Sequence, residues 1–213
     1  MTEFIGLISQ KGGVGKSTMA RLIAREYAAA KWDVKIADLD TSQGTSTEWK
    51  LRREENGLKP EIAVEPFRSV KQALKHASTY DLIVFDGPPH SMAGTVDIAQ
   101  ASKLVVLPTG LSLDDLRPTI RLAHELVENS IDQEKIALAL CRVGDRENEI
   151  KEARAYIKKA GYTLLQGSIP EKTAYRRASD DGKAVSEVTF LSLKKRAEEV
   201  AQDAINLMSR EAT

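Results

Sequence analysis

A glycine-rich segment joins the first apolar run of this chain to its first helical pattern, and few folds accommodate it. Phe4 to Ile8 is short and apolar without alternation. Gln10-Lys11-Gly12-Gly13-Val14-Gly15-Lys16-Ser17-Thr18 follows, and Thr18 to Ala30 then sets Met19, Leu22, Ile23, Tyr27 and Ala30 at helical spacing. Unalternated runs of this length suit strands covered on both faces, and strand, glycine loop, helix is the context in which such a loop cradles phosphate. Glycines at 12, 13 and 15 let backbone N–H groups turn inward towards an anion. A helix opening near Lys16 adds its free N–H groups and positive dipole end. Lys16 can bridge β- and γ-phosphates, and the Ser17 hydroxyl can sit on Mg²⁺. The plain alternative is a strand-to-helix turn with no ligand.

Further apolar runs at Val34 to Ala37, Leu82 to Phe85, Leu104 to Leu107 and Ile136 to Leu140 alternate with helical patterns, among them Leu113 to Val127 and Leu193 to Met208. That ordering predicts an α/β fold of three layers, a mostly parallel β-sheet with helices on both faces and right-handed crossovers. Asn56 to Pro60 reads as a turn between a charged helix near 45–55 and an edge strand near 62–66. One domain over residues 1–213 is expected, without an N-terminal helix-turn-helix module. With 42% apolar and 29% charged residues the 213-residue chain is globular, not disordered. Lys+Arg and Asp+Glu are both 31, which excludes nucleic-acid binding by bulk charge and leaves room only for a local basic patch. Cys141 is the single cysteine, so an intrachain disulfide and a Cys-only metal site are excluded. No apolar run approaches the roughly 20 residues of a membrane span, and Met1-Thr2-Glu3 lacks a signal peptide's basic start, so a cytoplasmic location without membrane contact is expected.

Two acidic elements follow the loop. Asp38-Leu39-Asp40 ends the second strand pattern and Asp86 ends the run Leu82 to Phe85. Both therefore lie at strand C-termini, where ligands bind in an open α/β sheet. Asp86 can hold Mg²⁺, usually through a water, opposite the phosphate loop. A helix N-cap would account for one of Asp38 and Asp40 but not both. His76, His90 and His124 are scattered, and no Ser or Cys nucleophile has a His partner. These parts fit phosphoryl transfer to water, which asks for position and charge stabilisation more than covalent chemistry.

The loop departs from the common phosphate-loop pattern: Gln10 stands where a first glycine would be, and Lys11 lies five residues before Lys16. K-G-G-x-G-K-[ST]-T resembles the deviant Walker A motif of the ParA/MinD family of P-loop ATPases. The resemblance implies ATP and Mg²⁺ as cofactors, weak intrinsic hydrolysis and an ATP-dependent homodimer in which Lys11 reaches the partner's nucleotide. Taken alone, Lys11 also reads as a solvated loop lysine. Asp38 to Gly44 is similar to the family's first switch, D-x-D-P-Q-G, with Thr41 in place of proline. By that likeness Asp40 orients the attacking water, Asp38 supports the switch, and Ser17, Asp40 and Asp86 surround the metal. Lys11, Lys16 and Asp40 are the implied catalytic set. Gly87-Pro88-Pro89 looks like the second switch, and Trp49 is expected in the core. Nucleotide contacts are expected from Lys11, Gly12, Gly13, Val14, Gly15, Lys16, Ser17 and Thr18. Arg142 and Pro170 are expected where the family cradles the base, with Cys141-Arg142 standing where Asn-Arg is common.

Later stretches, Val105 to Thr109 with Ser112 to Leu116, and Ile169-Pro170 with Ala174 to Ala178 and Gly182 to Val185, look nearer to the ParA partition branch. That likeness implies plasmid or cargo partition, non-specific DNA binding by the ATP-bound dimer on the nucleoid, and hydrolysis stimulated by a ParB-like adaptor. Lys172, Arg176, Arg177, Lys183, Lys194, Lys195 and Arg196 are the candidate DNA contacts; the bland reading is solvated helix faces balanced by Asp180, Asp181, Glu198 and Glu199. The competing reading is a MinD-like, membrane-cycling positioning ATPase. An iron–sulphur reductase would need two cysteines per subunit, and Lys11 argues against most metabolic kinases and ligases.

Overall fold

The structure, a computed structural model, describes residues 1–41, 44–88 and 92–210. Ser42 and Gln43 of the expected first switch, Pro89 of the second and His90 just beyond it lie outside the described residues. Seven strands form one sheet: β1 (Glu3–Leu7), β2 (Val34–Asp38), β3 (Ala63–Pro66), β4 (Leu82–Asp86), β5 (Leu104–Thr109), β6 (Ile136–Val143) and β7 (Thr163–Pro170). Their order is β3-β2-β4-β1-β5-β6-β7, and every pairing is parallel, where the sequence pattern indicated only a mostly parallel sheet. The edge strand expected near 62–66 is β3, which pairs with β2.

Among the described residues eight α-helices cover the sheet: α1 (Lys16–Ala29), α2 (Thr45–Glu55), α3 (Val70–Leu74), α4 (Met92–Ala101), α5 (Leu113–Glu128), α6 (Glu147–Lys159), α7 (Thr173–Asp180) and α8 (Leu191–Met208). Alternate residues of the central strands feed two separate cores. Leu82, Val84, Leu104 and Val106 pack under α1, α2, α7 and α8 with Trp49, Tyr175 and Val200. Ile83, Phe85, Val105 and Leu107 pack under α3 to α6 with Ile98, Leu122 and Ile157. Both faces are therefore apolar, which is why these strands read as unbroken runs. Each fully buried aliphatic side chain contributes roughly 1.5–3 kcal/mol.

The sheet's register positions the site. Leu7 of β1 and Asp38 of β2 both pair with Asp86 of the strand between them, so the phosphate loop and both carboxylates leave the sheet at one level. From β1 the chain crosses to β2, moves out to the edge at β3 and returns to β4 beside β1, then continues on the other side of β1 through β5, β6 and β7. The change of direction about β1 opens a crevice at the strand C-termini.

Candidate functional site

A groove of about 710 Å³ lies over that crevice. Gly12, Gly13, Gly15, Lys16, Ser17 and Thr18 form one wall, Asp40 and Thr45 another, and Cys141, Arg142, Ile169, Pro170 and α7 the third. Of the nucleotide contacts expected from sequence, Val14 is buried and Lys11 is half-exposed; neither lines the groove, while the rest do.

The loop takes its shape from backbone that only glycine adopts cheaply. Gly13 has φ +73° and Gly15 φ +111°. Gly15 is the N-cap of α1, no side chain caps that helix, and its first turn holds no acidic residue. The first N–H groups of α1 thus have no side-chain acceptor and suit an external anion. Lys16 follows at once and is buried at 8% exposure. Burial holds its pKa below the ordinary lysine value, while Asp86 and Asp40 pull it back up. No carboxylate lies within ion-pair distance of Lys16 among the described residues, so an anion in the groove would be its direct partner.

Asp86 is 1% exposed. Its Oδ2 accepts a hydrogen bond from Ser46 Oγ at 2.7 Å, while Oδ1 is buried without a hydrogen-bond partner. Burial raises the carboxyl's pKa, and the hydroxyls of Ser46 and Ser17 and the charge of Arg21 act against that rise. Ser17 Oγ lies 3.1 Å from Thr45 Oγ1. A bare buried carboxylate oxygen beside a phosphate-loop hydroxyl fits Mg²⁺, which takes one or two protein oxygens and otherwise waters and substrate phosphates. No group of three or more His, Cys, Asp or Glu able to hold a metal without such a substrate exists among the described residues.

Asp38 has a different task. It is fully buried, its Oδ1 accepts the Asp40 N–H at 3.2 Å, and its Oδ2 accepts the Thr47 N–H and Oγ1–H, each at 3.2 Å. It therefore ties the strand end to the first turn of α2 and shapes the turn that carries Asp40 to the groove. Burial raises its pKa despite these bonds.

Arg142 adopts a left-handed conformation at φ +56° and donates from Nη1 to the Gly13 carbonyl at 3.1 Å, so it ties the phosphate loop to the C-terminal end of β6. Lys11 is 49% exposed and bonded to its own chain: Nζ lies 2.5 Å from Asp115 Oδ1. The seven candidate DNA-contact residues divide. Lys172, Arg176, Arg177 and Lys183 line the same groove as the phosphate loop. Lys194, Lys195 and Arg196 sit on α8 away from it, where Lys194 pairs with Glu198 at 3.7 Å and Arg196 donates to Ser168 Oγ at 2.9 Å. Sequence reasoning gave no site role to Arg21, Ser46 or Asp115, which surround the expected residues; the contacts that bring them there join elements far apart in the chain.

Among solved structures the chain is similar to septum site-determining protein MinD complexed with Mg-ADP from Pyrococcus horikoshii OT3 (17% identity, 98% of this chain and 98% of that one, TM-score 0.76). Apo McdA of Cyanothece is similar too (17%, 96% and 100%, 0.74). So is a candidate plasmid partition protein of Borrelia burgdorferi B31 bound to AMPPNP (18%, 97% and 99%, 0.73). At these identities the likeness shows the fold. No curated protein matches the chain. Residues 5–185 match the family described as the CobQ/CobB/MinD/ParA nucleotide binding domain, a stretch that spans the phosphate loop, both acidic strand ends, β6 and β7, and the chain belongs to that family.

Proposed function

We propose that this protein is a ParA-like, Mg²⁺-dependent ATPase that dimerises on ATP, binds DNA without sequence preference and drives partition of a plasmid or other large cargo. A ParB-like adaptor stimulates its hydrolysis. The observation that carries the reading is the pair of lysines on one loop: Lys16 buried and lining the groove, Lys11 half-exposed outside it. Ser17 and Asp86 would hold Mg²⁺, which supplies charge neutralisation on the transferring phosphoryl group. Lys16 and the α1 N–H groups bind phosphate oxygens, Asp40 orients water, and Lys11 brings a second cation across the dimer. Pro170 and Arg142 border the base.

The DNA surface takes its charge from Lys194, Lys195 and Arg196 together with those α7 cations that stay open once nucleotide fills the groove, namely some of Lys172, Arg176, Arg177 and Lys183. A dimer doubles such a weak patch. The test is retention of non-specific duplex DNA with Mg²⁺ and ATP or ADP. ATP-specific retention is expected, falling steeply with salt by about one power per phosphate contact, and lost in Lys16→Ala and Lys11→Ala. No ATP-specific retention at low salt contradicts the partition reading.

One observation favours a MinD-like reading. Phe190 and Leu191 are 61% and 81% exposed at the start of α8, beside Lys194 and Lys195. ATP-dependent flotation with anionic vesicles would move the assignment there. No described helix is long and apolar enough to cross a membrane.

A further inference from the structure

Arg21 is a buried cation without an ion-pair carboxylate among the described residues. It projects from α1 one turn beyond Ser17, is 7% exposed, and stacks its guanidinium 5.5 Å from the Trp49 ring centre. Its polar partners are hydroxyls: Nε donates to Ser46 Oγ at 3.3 Å and Nη1 to Ser179 Oγ at 3.1 Å. A buried charge is costly unless it is paired or hydrogen-bonded, so the partners of Arg21 matter.

What they do follows from the direction of the bonds. An arginine only donates and an ionised carboxylate only accepts. Ser46 therefore accepts from Arg21 and donates its own O–H to Asp86 Oδ2 at 2.7 Å. The short charge-assisted bond fixes the carboxyl's rotation, and its other oxygen, Oδ1, is left bare. Donors in series polarise one another, so the guanidinium strengthens the Ser46 bond.

We propose that Arg21 is a positioning residue: through Ser46 it holds Asp86 with Oδ1 free for the cation of a Mg-nucleotide. This rests on the Mg²⁺-dependent nucleotide-binding reading above and deepens it. Because Arg21 also grips Ser179, α7 and the metal carboxylate are tied to one side chain, so the base-side wall of the groove and the metal site share a fixed spacing.

The test is a Mg²⁺ titration of fluorescent ADP binding, with EDTA as the metal-free reference, on the full chain and on Ser46→Ala, Arg21→Lys and the double variant. Ser46→Ala removes one hydroxyl and little volume, so it keeps the test interpretable if Arg21 variants fold poorly. Loss of such an outer-shell partner typically weakens metal affinity about 10–100-fold. The expected result is an approximately tenfold higher Mg²⁺ midpoint in each single variant, unchanged metal-free affinity, and a double variant no worse than Ser46→Ala, as a single chain of bonds requires. A fall in melting temperature with the Mg²⁺ midpoint unmoved makes Arg21 merely structural and overturns the proposal. A wild-type protein that binds ADP equally with Mg²⁺ and EDTA overturns the underlying reading as well.

Discussion

Lys11 Nζ sits 2.5 Å from Asp115 Oδ1 and 3.4 Å from the Asp114 carbonyl, both in the first turn of α5. That carbonyl is available because Pro118, four residues on, has no N–H to return to it. Ser112 Oγ holds the other Asp115 oxygen at 2.8 Å. A role for Lys11 across a dimer requires this contact to open. A partly exposed ion pair is worth about 0.2–1 kcal/mol, and two open per dimer, so Asp115→Ala is expected to tighten ATP-dependent dimerisation roughly twofold to thirtyfold. Sedimentation equilibrium with Mg-AMPPNP measures it; unchanged or weaker dimerisation counts against the idea.

The same pair has a defined pH behaviour. Burial pushes the Asp115 carboxyl up, but its bonds to Lys11 and Ser112 outweigh that and leave it below the ordinary carboxylate value of 3.8. A lowered folded pKa means the contact contributes fully above 3.8 and is lost only as pH falls through the lower folded value. The advantage of Asp115→Ala should therefore be constant from about pH 6 to 8; a marked slope in that window contradicts this assignment.

Gly15→Ala tests the cradle. At φ +111° an added Cβ is strained and would lie 3.1 Å from Cys141 Cβ and 3.2 Å from Sγ. We expect a loss of about 1–3 kcal/mol in urea unfolding together with loss of nucleotide binding. A stable variant with intact affinity would mean the loop is not held as described.

Cys141 provides a check on how tightly the loop packs over β6. Burial pushes its thiol up to about 12, so at pH 8 only about one molecule in ten thousand carries the thiolate. Native protein should resist iodoacetamide at pH 8 and react once unfolded in urea. Fast labelling of the folded protein would contradict the burial.

Asp86→Asn separates stability from function. The substitution removes a charge from a site with 1% exposure and an unpartnered oxygen. The nucleotide-free protein is expected to melt higher, about 2–4 °C per kcal/mol gained, while Mg²⁺ no longer improves ADP binding. A variant that keeps the Mg²⁺ effect would remove Asp86 from the metal site.

What could be read from sequence was what depends on neighbours along the chain. The phosphate loop, the strands β1, β4 and β5 and the helix Thr45–Glu55 are local patterns, and the structure reproduces them. Asp86 was legible because a strand ending in a carboxylate is itself a pattern. Ser46 and Arg21 were not: only the approach of α1, α2 and β4 joins them. Asp115 likewise lies 104 residues from Lys11. The α7 cations read as a surface patch because nothing in their spacing tells that the turn after β7 folds them over the phosphate loop.

The most direct measurement is the mass of the nucleotide-loaded protein in solution by light scattering. With Mg²⁺ and AMPPNP the wild-type chain should run at twice the monomer mass, while ADP-loaded protein and Lys11→Ala remain monomers. A wild-type chain that binds AMPPNP and still remains a monomer would contradict the account.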